Sequence, residues 1–249
     1  MGFGDILLSI GEAKRLHRER NTPIMIVGRN GRPILSDLFN GVPYLTTKPL
    51  RGPLYHRLVN GPGVRPYIAG KTAEKWTWRP YQPEPADVVF TAAELAFAEP
   101  YRGKVMIEPN VKDIGHRNKD WGWPNWWKFD ALARFHGLLQ CTREGDRTLP
   151  NAQIVPTTSF RQTMAVLSVC KAYVGPEGGL HHAAAAVGVP AVVIFGGFIA
   201  PTITGYKQHR NLFTGGTACG MRTDCKHCRE AMNKITPAMV LEQLQELLK

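Results

Sequence analysis

The chain has 249 residues, 43% of them hydrophobic, and carries 31 Lys/Arg against 20 Asp/Glu, a formal charge of +11. That length allows one large domain or two small ones, and that apolar share suits a globular protein. No run approaches the roughly 18 apolar residues of a membrane span, an acid (Asp5) stands where a signal peptide has its basic region, and five cysteines, an odd number, give no disulfide framework. Ile6 stands where a myristoylation signal needs Ser or Thr, so a cytoplasmic protein is the expectation. The charge is uneven. Residues 1–85 hold 13 Lys/Arg and 6 Asp/Glu, and a basic surface of this kind attracts nucleic acid, acidic lipid head groups or phosphorylated glycans.

In chain order, Ile6, Leu7, Ile10, Ala13 and Leu16 recur at helical spacing and predict a helix over 5–20. Residues 23–27 read as a short buried strand ended by Gly28-Arg29-Asn30-Gly31, 33–38 as a helix and 41–45 as a return strand. Regular pattern fades from 46 to 85. Prolines and glycines are dense there, and basic residues interleave with aromatics from Arg51 and Tyr55 through Arg57, Arg65, Tyr67, Lys71 and Lys75 to Trp76, Trp78, Arg79 and Tyr81. Residues 87–91 and 104–108 read as strands, 125–140 as a helix, 152–155 as a strand, 159–170 as a helix and 172–175 as a strand. Trp121, Trp123, Trp126 and Trp127 are expected to pack in the core or at an interface, because each buries a large apolar area. Thr236-Pro237 opens a last helix, with Thr at the N-cap and Pro behind it. Alternating strands and helices predict parallel sheets covered on both faces. The break at 99–103 divides the chain into an N-terminal domain, 1–102, and a C-terminal domain, 103–249.

The most informative block runs from Val174-Gly175-Pro176-Glu177-Gly178-Gly179 through His181-His182 and four alanines to Val187-Gly188-Val189-Pro190. It reads as strand, glycine turn and small-residue helix. Two glycines before a helix let unpaired backbone N–H groups approach a ligand, and such a start favours phosphate. Ordinary α/β packing produces the same pattern. The block lacks the G-x-G-x-x-G of NAD enzymes.

This block resembles the signature of glycosyltransferase family 9, the heptosyltransferases, roughly V-G-x-D-[ST]-G-x-x-H-x-A-A-A-x-G-x-P. Gly179, His182, Ala183, Ala184, Gly188 and Pro190 match, while Glu177 replaces the family's Asp and Gly178 its Ser or Thr. The resemblance implies a GT-B fold: two Rossmann-like domains facing across a cleft, here with the N-terminal one reduced. It implies that Glu177, Gly178, Gly179 and His182 bind a nucleotide-diphosphate sugar. Gly2-Phe3-Gly4-Asp5-Ile6-Leu7 is similar to the family's G-x-G-D-[VI]-L element, which makes Asp5 the general base of an inverting transfer. A plain helix cap is the competing reading of Asp5. Family members place a strand before this turn and the sequence opens at the turn, so a reduced first sheet, another segment in the slot or an upstream start would each account for it.

Lys119-Asp120-Trp121 resembles the family's K-x-W-P, which gives Lys119 the donor phosphate. The reading calls for no cofactor and no metal beyond the nucleotide sugar itself. The basic and aromatic residues Arg57, Arg65, Lys75, Trp76, Trp78 and Arg79 are the candidate acceptor site. Their acceptor is a polyanion: a lipopolysaccharide core or similar glycan, with peripheral membrane contact, or DNA bearing a hydroxymethylated base. A non-catalytic nucleotide- or nucleic-acid-binding module is the alternative. Cys219, Cys225 and Cys228 have partly metal-like spacing. Because His227 adjoins Cys228, a four-ligand site looks crowded and plain thiols are expected.

Overall fold

A computed structural model describes residues 2–48, 56–60, 65–111 and 117–249; Arg51 and Tyr55 lie outside them. The chain opens with α1 (Phe3–Arg20), whose apolar stripe Ile6, Leu7, Ile10, Ala13 and Leu16 is buried. Asp5 in its first turn and His17, Arg18 and Arg20 in its last oppose the helix dipole favourably. The buried strand β1 (Ile24–Val27) follows. β2 (His56–Val59) pairs with it in parallel, Ile24 opposite His56. β3 (Ile68–Lys71) and β4 (Trp76–Trp78) form an antiparallel hairpin. α2 (Ala92–Ala98) starts at a reciprocal cap between Thr91 and Glu94.

The remaining elements build one larger sheet. They are β5 (Val105–Ile107), α3 (Trp123–Ala133), β6 (Leu138–Thr142), β7 (Gln153–Pro156), α4 (Phe160–Ser168), β8 (Ala172–Pro176), α5 (Gly179–Ala186), β9 (Ala191–Ile194), α6 (Pro201–Thr204), β10 (Arg210–Leu212), α7 (Lys226–Lys234) and α8 (Pro237–Leu247). The six strands are parallel in the order β10-β9-β8-β5-β6-β7. Alternate residues serve opposite faces. Met106, Leu139, Tyr173 and Val193 join the core with α1, α4 and α5. Val105, Ile107, Leu138, Val174, Val192 and Ile194 pack with Trp121, Trp126 and Phe129 and with Val240 and Leu244 of α8. A parallel sheet covered on both faces explains its nearly unbroken apolar strands.

α1 belongs to the same core as the large sheet. Phe3 stacks on Phe160 at 4.3 Å between ring centroids. A Cβ at Gly4 would stand 3.3 Å from the Cα of Gly179, so glycine is what lets α1 approach α5. Arg161, buried on α4, adds a polar clip: its guanidinium holds both carboxylate oxygens of Glu94 at 2.7 and 2.8 Å and the carbonyls of Asp37 and Val89. Arg161 draws the Glu94 carboxyl down to about 2.

Several local expectations change. The helix expected over 125–140 stops at Ala133. Gly137 turns the chain with a left-handed backbone (φ 71°), and 138–142 becomes the buried strand β6 between β5 and β7. Residues 33–38 hold no α-helix: Pro33 bridges Val27 and only Asp37–Phe39 make a short turn capped by Ser36. Of the strand expected at 41–45, Leu45 alone bridges Ile24. Residues 87–91 join no ladder; the carbonyl of Val89 is taken by Arg161 instead. The stretch without pattern, 46–85, contains β2, β3 and β4.

Candidate active site

Glu177 follows β8 at the carboxyl edge of the parallel sheet, where open α/β folds bind ligands. Its N–H donates to the carbonyl of Ile194 at 3.0 Å. The carboxylate is 4% exposed and forms an ion pair with Lys119, which is 13% exposed and stands on a turn over 117–119. Thr204 donates to its other oxygen at 3.1 Å, and His182 Nε2 lies 3.6 Å away. Burial works to raise the Glu177 pKa, but Lys119 and His182 outweigh it and hold the carboxyl well below its usual range. Glu177 is therefore an anion under the sheet edge, with Lys119 as its counter-charge.

Beyond Glu177 the chain enters α5. No side chain caps that helix, and its first internal bond runs from His182 N–H to Gly178 O, so the earlier N–H groups lack helical partners. Gly178 is extended (φ 167°), which needs no glycine, and a Cβ there would meet nothing nearer than 4.0 Å. The space in front of the helix start is thus open. His182 is buried, with Nδ1 3.0 Å from the Tyr206 hydroxyl. It touches Glu177 rather than the open space.

Across the α1–α5 contact stands Asp5. It accepts from the Gly2 N–H at 3.3 Å, the cap that the sequence allowed. It also accepts from Arg65 at 2.5 Å and from the Tyr67 hydroxyl at 3.2 Å, with Asp5 and Arg65 both mostly buried. Burial, then the Asp5 charge, pushes the Tyr67 phenol well above its usual range, so it stays a donor. Arg65 in turn lies over the Trp76 ring at 5.2 Å. Trp78 stacks against Tyr67, meets Phe198 edge-on at 5.4 Å and donates its indole N–H to the Phe198 carbonyl at 3.2 Å. Phe198 also carries Lys119 over its ring at 5.2 Å.

The candidate acceptor residues therefore divide. Arg65, Trp76 and Trp78 line a continuous wall from Asp5 to Lys119. Trp78 is packed between Tyr67 and Phe198 rather than presenting a free face. Lys75 and Arg79 are exposed on the β3–β4 hairpin, and Arg57 is exposed on β2, in the other small sheet. Sequence reading missed Tyr67, Phe198, Thr204 and Tyr206 as parts of the site. It also did not mark Glu108, which lies beside β8 with its N–H on the Val174 carbonyl. Burial pushes the Glu108 carboxyl up to about 8. None of these five has a periodicity that marks it.

The architecture is GT-B-like, as the solved structures that match it show. The iron-containing dodecameric glycosyltransferase TibC from enterotoxigenic E. coli H10407 matches over 99% of this chain and 76% of its own, at TM-score 0.64 and 15% identity. The glycosyl transferase family 9 structure from Veillonella parvula DSM 2008 matches over 67% of this chain and 54% of its own, at TM-score 0.50 and 14% identity. E. coli ADP-heptose LPS heptosyltransferase II matches at TM-score 0.49 and 18% identity over 65% of this chain; the present chain spans 53% of that protein's length. No curated protein matches the sequence. Residues 137–239 match the model of glycosyltransferase family 9 (heptosyltransferase). No helix among the described residues is long and apolar enough to cross a membrane.

Proposed function

We propose that the chain transfers a sugar from a nucleoside-diphosphate sugar to a hydroxyl of an anionic acceptor, with inversion at the anomeric carbon. The observation that supports this most is the meeting of two helix starts: Gly4 of α1 packs on Gly179 of α5, so the first turn of α1, which carries Asp5, meets the uncapped start of α5. In this reading those N–H groups hold the diphosphate. Lys119 exchanges Glu177 for the leaving diphosphate, where negative charge develops. Asp5 takes the acceptor proton as the hydroxyl oxygen bonds to the anomeric carbon and the bond to the diphosphate breaks on the opposite face. Arg65 must release Asp5 for this, and an anionic group on the acceptor is a fitting replacement partner for Arg65.

The acceptor is then a phosphorylated glycan of lipopolysaccharide type or a modified base in DNA, met in the cytoplasm. Exposed Lys75 and Arg79 flank the Arg65 wall and suit either polyanion. The heptosyltransferase description of the matching family makes a nucleotide-activated heptose the first donor to assay.

The test is Asp5→Asn. Turnover of the nucleotide sugar should fall by roughly 10²–10⁴-fold with donor affinity unchanged. Wild-type turnover in this variant would reduce Asp5 to a helix cap. Absence of turnover in the wild type, with nucleotide binding intact, would favour the non-catalytic module. Fluorescence anisotropy with labelled duplex at several salt concentrations, beside sedimentation with anionic vesicles, separates the two acceptors: each lost duplex phosphate contact lowers the log–log salt slope by nearly one.

A further inference from the structure

Away from the cleft, Cys219, Cys225, His227 and Cys228 point their ligand atoms at one another, all within 4.8 Å. Cys219 follows β10, while Cys225 is the N-cap of α7 and Cys228 lies in its first turn. The Cys219 sulfur is 3.0 Å from that of Cys228 and 3.9 Å from that of Cys225. All three cysteines are free, and these separations exceed a disulfide bond of about 2.05 Å. They bracket the edge of about 3.8 Å that a tetrahedron with 2.3 Å metal–sulfur bonds would have.

The imidazole supplies a second, independent observation. His227 Nε2 donates to the carbonyl of Gly215 at 2.8 Å. Its Nδ1 is buried and has no hydrogen-bond partner. A histidine whose one nitrogen donates to a backbone carbonyl presents the lone pair of the other, which is how metal-bound histidines are held. Adjacent in sequence, His227 and Cys228 nonetheless reach the same point, because the first turn of α7 brings them beside Cys219 from two directions. The crowding expected from the sequence does not arise.

We propose that these four residues bind one tetrahedral transition-metal ion, zinc being the best match to three thiolates and one imidazole. With four protein ligands the site is closed, and its role is structural. It ties the loop after β10 to α7. That loop is joined to the wall of the cleft: Gly220 accepts from Trp76 N–H at 2.9 Å, and Asn118, next to Lys119, donates to the carbonyls of Met221 and Thr223, both at 2.7 Å, and accepts from Cys225 N–H at 3.0 Å. The ion thereby fixes both the β3–β4 hairpin and the Lys119 turn from behind.

The test is elemental analysis of the purified full chain by plasma mass spectrometry, with Cys225→Ser and His227→Gln beside it. One equivalent of zinc in the wild type, lost or much reduced in both variants, is the expected result. Exchange into cobalt(II) covers the case in which a variant fails to fold: the wild type should gain the intense visible bands of tetrahedral cobalt with thiolate charge transfer. Chelation of the wild type should open trypsin cleavage at Arg222 and Lys226. Iron in one equivalent, lost in the same variants, would uphold the site and replace zinc as its occupant. A metal-free wild type that takes up neither zinc nor cobalt, or an alkylation map showing a Cys219–Cys228 disulfide, would overturn the proposal.

Discussion

Lys119→Met keeps most of the side-chain stem and removes its charge, which isolates what the Lys119–Glu177 pair does. Glu177 is almost fully buried and Lys119 is 13% exposed, so the carboxylate would be left with the Thr204 hydroxyl and the neighbouring His182. Removing one partner of such a pair costs about 3–5 kcal/mol, because the other charge stays buried without compensation. Urea unfolding at neutral pH with linear extrapolation measures that loss. The loss should shrink as pH falls, since an unpaired buried carboxyl takes up a proton and ceases to be a charge. Lys119→Met combined with Glu177→Gln should recover much of the stability, the two sites being coupled by contact. Donor binding should stay lost in both variants. Calorimetry with a panel of nucleoside diphosphates reads this second half. A single-variant cost below about 1 kcal/mol, the range of surface pairs, would refute the buried-pair argument. Wild-type nucleotide affinity in the double variant would remove Lys119 from the donor site.

Gly4→Val should lower stability by about 1–3 kcal/mol, because its Cβ would sit 3.0 Å from the His182 ring. Gly178→Val, pointing into open space, should leave the melting temperature nearly unchanged while weakening nucleotide binding; unchanged affinity would count against the phosphate site. Arg161→Leu should cost about 3–5 kcal/mol. Glu94, held at about 2 when folded against an ordinary 4.5, stabilises fully above 4.5, and that share is lost as pH falls toward 2; Glu94→Gln should abolish this acid dependence in unfolding experiments. Glu108 behaves oppositely. Its folded value of about 8 lies above the ordinary 4.5, so wild-type stability should decline as pH rises from 4.5 to 8. Glu108→Gln should flatten that window, and parallel pH profiles for variant and wild type would show that Glu108 is not buried as an acid.

The elements legible in the sequence were those whose signal is local. The stripe of α1, the Thr236-Pro237 start of α8 and the strand–glycine–helix block at 172–186 each carry their own periodicity or cap, and the structure forms them as read. The family resemblance at 174–190 and the α/β class rested on the same local features. What tertiary structure decided was local sequence that suits more than one state. Leu138–Thr142 continues an apolar helix pattern, yet the place between β5 and β7 makes it a strand, because ladder bonds on both sides and burial on both faces outweigh propensity. The short strands of 56–78 have too few residues to announce themselves, and β2 finds its partner, β1, well back in the chain.

The site followed the same division. Asp5, Lys119, Glu177 and the Gly178 turn could be named from motifs. That Asp5 is held by Arg65 and Tyr67, that Lys119 is the counter-ion of Glu177, that Thr204 donates to Glu177 and that Tyr206 stands against His182 depend on contacts between residues 24 to 62 positions apart, shown in side-chain geometry alone. Cys219 to Cys228 make the same point in ten residues. Spacing suggested crowding, and the first turn of α7, which sets the directions of His227 and Cys228, removed it.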